Sequence, residues 1–180
     1  SKNSLSGNPL TGCAAWREAS FADGTAMRHI FPAKQWPLLL VSYKSALQSP
    51  HSIGVTRLLQ LHPENPVLIH PDDASKLHLQ TGDLAEIMTP GRAVKARVTV
   101  HAGVMPGVAA FEHGYGHREL GARAHLIGAQ RQPQNPKLGA GVNLNDIGII
   151  DPTRQDRAPW VDAVSGASVR NGLPAKIRRA

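Results

Sequence analysis

Apolar and polar positions alternate most regularly over residues 93–100. Val94, Ala96, Val98 and Val100 share one face, and Lys95, Arg97 and Thr99 the other. A period of two over eight residues predicts a half-buried strand. Residues 36–42 (Trp36-Pro37-Leu38-Leu39-Leu40-Val41-Ser42) form a short continuous apolar run that empties into Tyr43-Lys44-Ser45, as a strand buried on both faces would. Val67-Leu68-Ile69, residues 84–89 and Val108-Ala109-Ala110-Phe111 read as further short strands. Between two of them, Pro71-Asp72-Asp73-Ala74-Ser75-Lys76-Leu77 predicts a brief helix, with proline in its first turn, acids near its positive end and Gly82 closing it. Pro90-Gly91-Arg92 and residues 103–107 are turns, and residues 55–61 an apolar segment of open type. Ala175-Lys176-Ile177-Arg178 predicts a last strand whose charges guard an edge. Short strands joined by tight turns favour a β-barrel, so the expected class is mainly β with short helices.

Two stretches break the pattern. Residues 1–35 are interrupted by Gly7, Pro9, Gly12, Gly24 and Pro32, with Trp16, Phe21 and Phe31 as isolated apolar anchors. They predict an irregular leader packed on a barrel domain of residues 36–180. Residues 118–158 predict a long loop insert, because Gln130-Arg131-Gln132-Pro133-Gln134-Asn135-Pro136 and Gly139-Ala140-Gly141 can bury little apolar area.

Composition narrows the class. The 180 residues leave room for one sizeable core, and 41% apolar content with 17 Gly, 14 Pro and 18% charged residues excludes disorder, coiled coil and collagen. No window approaches the roughly 20 apolar residues of a membrane span, so no direct membrane insertion is expected. The chain begins Ser1-Lys2-Asn3-Ser4, without a start methionine or an apolar signal core, and is read as a fragment or a processed chain. A single cysteine, Cys13, supplies neither an internal disulfide nor a thiolate set, so an iron-sulfur cluster would lie elsewhere.

The net charge of +7 raises the question of an anionic ligand. Tyr43-Lys44-Ser45 through His51-Ser52 follows a buried strand and is either a solvated loop or an anion site, where a cation, hydroxyls and free amides converge. Glu112-His113-Gly114-Tyr115-Gly116-His117 holds two imidazoles and a carboxylate, but its glycines remove the helical spacing a metal shell needs. A glycine loop donating its backbone to a polar ligand is the favoured reading, and no metal ligand is assigned. Asn143 and Asn145, after Gly139-Ala140-Gly141, are either turn residues or readers of a heterocycle edge. Asp72 and Asp73 are read as partners of the helix dipole. No nucleophile elbow, Walker loop or dinucleotide glycine fingerprint occurs, so no catalytic residue is assigned.

The ordered series Asn65-Pro66-Val67-Leu68-Ile69-His70-Pro71-Asp72-Asp73-Ala74, Leu77-His78-Leu79, Gly82-Asp83, then Val104-Met105-Pro106-Gly107-Val108 and the glycine-led Asn143, resembles the molybdopterin dinucleotide-binding domain. That domain is the C-terminal one of dimethyl-sulfoxide-reductase-type molybdenum and tungsten enzymes, and the resemblance covers about residues 36–177. It implies a double-psi β-barrel of the aspartate-decarboxylase-like kind. His113-Gly114-Tyr115-Gly116-His117 and Trp36-Pro37 with Tyr43-Lys44-Ser45 are most like the tetrathionate, polysulfide, thiosulfate and arsenate reductase group.

By that resemblance Tyr43, Lys44, Ser45, His51, Ser52, Gly116, His117 and Asn143 contact the cofactor, a molybdopterin guanine dinucleotide carrying molybdenum, with tungsten as the other metal option. It further implies the remaining domains of a catalytic subunit that carries an iron-sulfur cluster. Separate subunits for iron-sulfur electron transfer and for quinol oxidation in the membrane are implied too, with a periplasmic or membrane-associated place in anaerobic respiration. The isolated chain is then expected to be inactive. Two other classes compete. A stand-alone basic barrel could bind nucleic acid or another anion, although its basic residues are scattered and only eight aromatics are present to stack on bases. A self-processing decarboxylase-type barrel would need a Gly-Ser pair, and none occurs.

Overall fold

A computed structural model describes residues 2, 7, 9, 12–13, 16–49, 52, 55–119, 121–162 and 164–180. His51 lies outside the described residues. Six strands close on themselves: β1 (Leu38–Tyr43), β2 (Val67–Ile69), β3 (Leu84–Met88), β4 (Ala93–Val100), β5 (Val108–Glu112) and β8 (Leu173–Arg179), in the order β1-β5-β2-β4-β3-β8. β1 and β5, and likewise β2 and β4, run parallel, and the other four pairings are antiparallel. This is the mainly β, double-psi barrel expected of the chain, with short helices between strands.

The alternation along β4 places Ala96 and Val98 inside, where they meet Val67, Ile69, Ala85, Ile87 and Phe111. Burial of one such branched or aromatic side chain contributes about 1.5–3 kcal/mol, which makes the barrel interior the main source of stability.

The last strand corrects the expectation of an edge. β8 pairs with β1 (Leu38 opposite Ala175) and with β3 (Ile87 opposite Ile177), so closure leaves it no free side. Its charges find partners instead: Arg178 binds Glu86 at 2.6 Å, Arg179 binds Asp83 at 2.6 Å, and the Lys176 ammonium lies 4.8 Å from the Trp36 ring centre.

The open segment 55–61 contains a helix, α2 (Thr56–Leu61), which follows α1 (Met27–Ile30) in the chain. α3 (Pro71–Leu77) starts where predicted, capped by the His70 ring, which accepts from the Asp72 N–H at 3.1 Å. It ends at Leu77 as predicted, but the left-handed residue that closes it is His78 (φ 54), while Gly82 (φ 94) opens the turn into β3. Asp73 also does more than face the dipole: it is buried, and its Oδ2 accepts from the Gly107 N–H at 2.6 Å, tying α3 to the turn before β5.

Residues 118–158 are not one loop. β6 (His125–Ile127) and β7 (Gln130–Gln132) form a separate hairpin with Leu126 and Ile127 exposed. The chain then returns to the core through Val142, Leu144, Ile147 and Ile149, part of it as the 3-10 helix Leu144–Ile147. In the leader, Phe21 packs against Trp160 with ring centres 5.0 Å apart and Phe31 against Trp36 at 6.3 Å. Trp16 is no anchor, being 86% exposed.

Candidate functional site

The parallel register of β1 and β5 builds the site. Tyr43 stands opposite Glu112, and the His113 N–H continues the ladder to the Tyr43 carbonyl at 2.8 Å. Parallel strands point the same way, so the loop after Tyr43 and the loop after Glu112 leave the barrel at one mouth.

Glu112 is the hub of that mouth. Its carboxylate is 1% exposed. The Ser45 hydroxyl donates to Oε1, and the His62 Nε2 lies 2.7 Å from Oε2. The Tyr115 hydroxyl in turn donates to the His62 carbonyl at 3.0 Å. Burial first, and then the Glu112 charge, pushes the phenols of Tyr43 and Tyr115 upward, so both remain protonated donors at neutral pH. Among the described residues no group of three or more His, Cys, Asp or Glu side chains is arranged to hold a metal ion.

Ser45 also organises its own loop, its Oγ accepting from the N–H groups of Leu47 at 3.0 Å and Gln48 at 3.2 Å. Ser52 accepts from the Ser49 N–H at 2.8 Å and donates to the Gln48 Oε1 at 2.8 Å. Lys44 is exposed and makes no ion pair among the described residues. Its charge is felt at His113, whose pKa lies below the usual imidazole value because of burial and the nearby Arg170, Lys44 and His117. Four basic side chains thus converge around the loop after β5.

Gly116, His117 and Asn143 come together as a second part of the site. The Gly116 N–H donates to the Ala140 carbonyl at 2.8 Å, and the His117 N–H to Leu138 at 3.2 Å. The backbone at Gly116 takes φ +65, and a Cβ there would strike the backbone nitrogen of Asn143, so only glycine permits this approach. The His117 Nε2–H donates to the Gly114 carbonyl at 2.8 Å, which fixes the ring. The Asn143 Oδ1 accepts from the Asn145 N–H at 3.0 Å, which settles a turn-capping role for the oxygen, while its Nδ2 has no partner among the described residues. Gly116, His117 and Asn143 line one groove of about 390 Å³ together with Arg92, Lys95 and Arg118, the last ion-paired with Asp146, which lines it too. Tyr43, Lys44, Ser45 and Ser52 do not line it.

Sequence reasoning missed Glu112 as a hub, His62 as its partner, the buried Gln48 and Asn65, and the basic set Arg92, Lys95, Arg118 and Arg170. A signal existed for Glu112: a carboxylate ending a buried apolar run must find donors, or its burial is too costly.

A closed barrel that brings four basic side chains to one mouth, beside a glycine-opened groove lined by further cations, is a scaffold for a large anionic ligand with polar edges. The chain belongs to the family of the Molydopterin dinucleotide binding domain, whose model matches residues 39–156. It is 46% identical over 178 residues to a subunit of tetrathionate reductase from Salmonella typhimurium, covering 99% of this chain and 18% of that protein. With the molybdopterin-containing subunit of arsenate respiratory reductase from Chrysiogenes arsenatis it shares 25% identity over 148 residues, 77% of this chain and 16% of the relative. The solved structure of acetylene hydratase from Pelobacter acetylenicus superposes with a TM-score of 0.58 at 19% identity, over 82% of this chain and 19% of that one, which speaks for the fold alone. The chain spans less than a fifth of the length of these relatives.

The residues present fit a molybdopterin dinucleotide. Its pyrophosphate matches cations, hydroxyls and backbone amides, and its heterocycles match the amide of Asn143 and the open backbone at Gly116. Family membership therefore gives the basic charge a cofactor to hold, and nothing in the comparisons favours nucleic acid.

Proposed function

We propose that this chain is the cofactor-binding domain of a larger bis-molybdopterin guanine dinucleotide oxidoreductase that reduces a sulfur oxyanion in anaerobic respiration, in the manner of tetrathionate reductase. The observation that carries the reading is the convergence of Gly116, His117 and Asn143 on one cation-lined groove, next to the basic mouth that follows β1 and β5. The 46% identity to a tetrathionate reductase, held along nearly the whole chain, supports the choice of substrate class.

When bound, the cofactor supplies the metal, molybdenum or tungsten, and the redox chemistry. The chain's own residues bind and orient. Lys44 and Arg170 supply positive charge, His113 and His117 imidazole rings, Ser45 and Ser52 hydroxyls, Gly116 close backbone approach, and Asn143 an amide edge. His51 and Tyr43 complete the set carried over from the family. Residues 36–180 form the binding unit in this reading, with residues 1–35 a leader whose Phe21 and Met27 lodge in the core.

Electrons would reach the site from an iron-sulfur cluster in other parts of the parent protein, since one cysteine cannot hold one. The proposed partners are two further subunits, one for iron-sulfur electron transfer and one for quinol oxidation in the membrane. The proposed place is periplasmic or membrane-associated through those subunits; among the described residues no helix is long and apolar enough to cross a membrane. The chain alone would bind without turning over.

The test is to purify the whole protein containing this chain, with Lys44→Ala and His117→Ala variants, and to measure metal and guanine nucleotide per polypeptide alongside oxyanion reduction. The expected result is a molybdenum- or tungsten-bearing wild type with reduced occupancy or rate in both variants. A metal-free, nucleotide-free wild type, or full occupancy and turnover in both variants, overturns the reading.

A further inference from the structure

Gln48 is 2% exposed, in the middle of the loop between Ser45 and Ser52. Its amide is only half satisfied. Oε1 accepts from the Ser52 hydroxyl at 2.8 Å, whereas Nε2, also buried, has no hydrogen-bond partner, and it is the one such buried side-chain atom found among the described residues. A buried amide N–H₂ without an acceptor is destabilising, and native proteins leave few of them. Turning the amide over does not remove the difficulty: Ser52 could then accept from Nε2, but Oε1 would be the orphan instead. A methionine would fill nearly the same volume with no polar atom to strand.

The orphan is held firmly. The Gln48 N–H donates to the Ser45 Oγ, and the Ser45 hydroxyl donates to Glu112 on the barrel, so both ends of the residue are tied down. The neighbouring groups point to what the amide lacks. Lys44 brings a cation without an ion pair among the described residues, and Ser45 and Ser52 flank it with hydroxyls. With both serine hydroxyls already donating, to Glu112 and to Gln48 Oε1, the donors left over are the Lys44 ammonium and the Gln48 amide, and two donors without an acceptor suit an anionic oxygen better than a heterocycle edge, which presents donors and acceptors together.

We propose that Gln48 is a ligand-contacting residue, its amide N–H₂ donating to a phosphate oxygen of the bound dinucleotide. This rests on the cofactor-binding reading above. Gln48 thereby joins the loop's ligand set as a neutral donor that orients the phosphate beside Lys44.

The experiment compares wild type, Gln48→Met and Gln48→Glu in the whole protein that contains this chain. Two readouts are taken: the rate of dinucleotide loss from the loaded protein, and the melting temperature of the cofactor-free protein with and without inorganic pyrophosphate. Gln48→Met should raise the cofactor-free melting temperature by removing the stranded amide, yet speed dinucleotide loss about tenfold and shrink the pyrophosphate-induced shift. Gln48→Glu, which sets a carboxylate against the phosphate, should release dinucleotide faster still. The opposite signs for free and loaded protein separate ligand contact from a structural role. Equal dinucleotide retention in wild type and Gln48→Met overturns the inference while leaving the cofactor-binding reading intact. A wild type that retains no dinucleotide overturns that reading, and the inference with it. Should Gln48→Met fail to fold, Gln48→Glu carries the same comparison.

Discussion

Asn65 holds Val142 by both halves of its backbone: Oδ1 accepts from the Val142 N–H at 2.7 Å, and Nδ2 donates to the Val142 carbonyl at 3.0 Å. The same Nδ2 donates to the Glu112 carbonyl at 2.8 Å. One side chain therefore stands in for a strand, joining the end of β5 to the stretch that returns from the long insert. Gly141 lets it in, since a Cβ there would strike the Asn65 Oδ1.

Replacing Asn65 with Leu strands three buried backbone groups. The expected cost is roughly 3 kcal/mol in urea unfolding, because each lost partner leaves a desolvated donor or acceptor. A loss below about 1 kcal/mol would show that water reaches these groups.

Two glycines with positive φ should respond differently to alanine. Gly82 (φ 94) has open space where a Cβ would go, so Gly82→Ala should cost only the conformational penalty of about 1 kcal/mol. Gly116→Ala adds a collision with the Asn143 backbone, and should cost about 2–3 kcal/mol and displace residues 141–143 from the groove. Thermal melts of the two variants side by side decide the point; equal losses would mean that the loop bearing Asn143 yields freely.

Glu112→Leu leaves the Ser45 hydroxyl and the His62 ring without their shared partner. We expect about 2–4 kcal/mol of lost stability and a loosened loop between Tyr43 and Ser52. Hydrogen exchange at the Leu47 and Gln48 amides, which Ser45 holds in the wild type, should accelerate. Unchanged protection would remove Glu112 from the positioning of that loop.

His113 gives the fold a pH dependence. Burial, followed by Arg170, Lys44 and His117, lowers its folded pKa below the ordinary 6.5. The folded state then binds fewer protons than the unfolded one, so stability rises with pH across that window. The contribution is fully present above about 6.5 and is lost as the pH falls through the lowered folded value. Melting temperatures recorded from about pH 5 to 8 should show this slope in wild type and a flatter one in His113→Asn. A bound phosphate should oppose it, since an anion favours the charged ring. Parallel slopes in the two proteins would refute the assignment.

The strands were legible wherever local chemistry specified them. The alternation of residues 93–100, the run before Tyr43 and the proline-led start at Pro71 all hold in the structure. A barrel was expected, but the pairings that close it were not legible, because nothing near Ala175 or Ile177 says that their partners are Leu38 and Ile87. The hairpin of β6 and β7 was missed for a different reason: its residues are mostly exposed, so burial leaves no periodic trace. The closing residue of α3 was misassigned to Gly82 because glycine is the commoner left-handed residue, and here His78 takes that conformation.

Motif order singled out Gly116, His117 and Asn143, and the fold brings all three to one groove. Arg92 and Lys95 face them across that groove from the turn before β4 and from the strand itself, a pairing that only three-dimensional folding creates. Gln48 was passed over because a glutamine in a polar loop looks solvated, and only its burial makes the missing partner visible.

The double engagement of β8 also sets an order of assembly. Leu38 and Ala175 are neighbours in the barrel although nearly the whole length of the described barrel separates them along the chain. On a ribosome adding about 5–20 residues per second, β1 and β3 emerge several seconds before the strand that seals them. During that interval both present unpaired backbone to any other nascent strand, the circumstance in which β-proteins aggregate. The growing chain therefore passes through an open half-barrel whose two unpaired edges stay open to mispairing until β8 arrives.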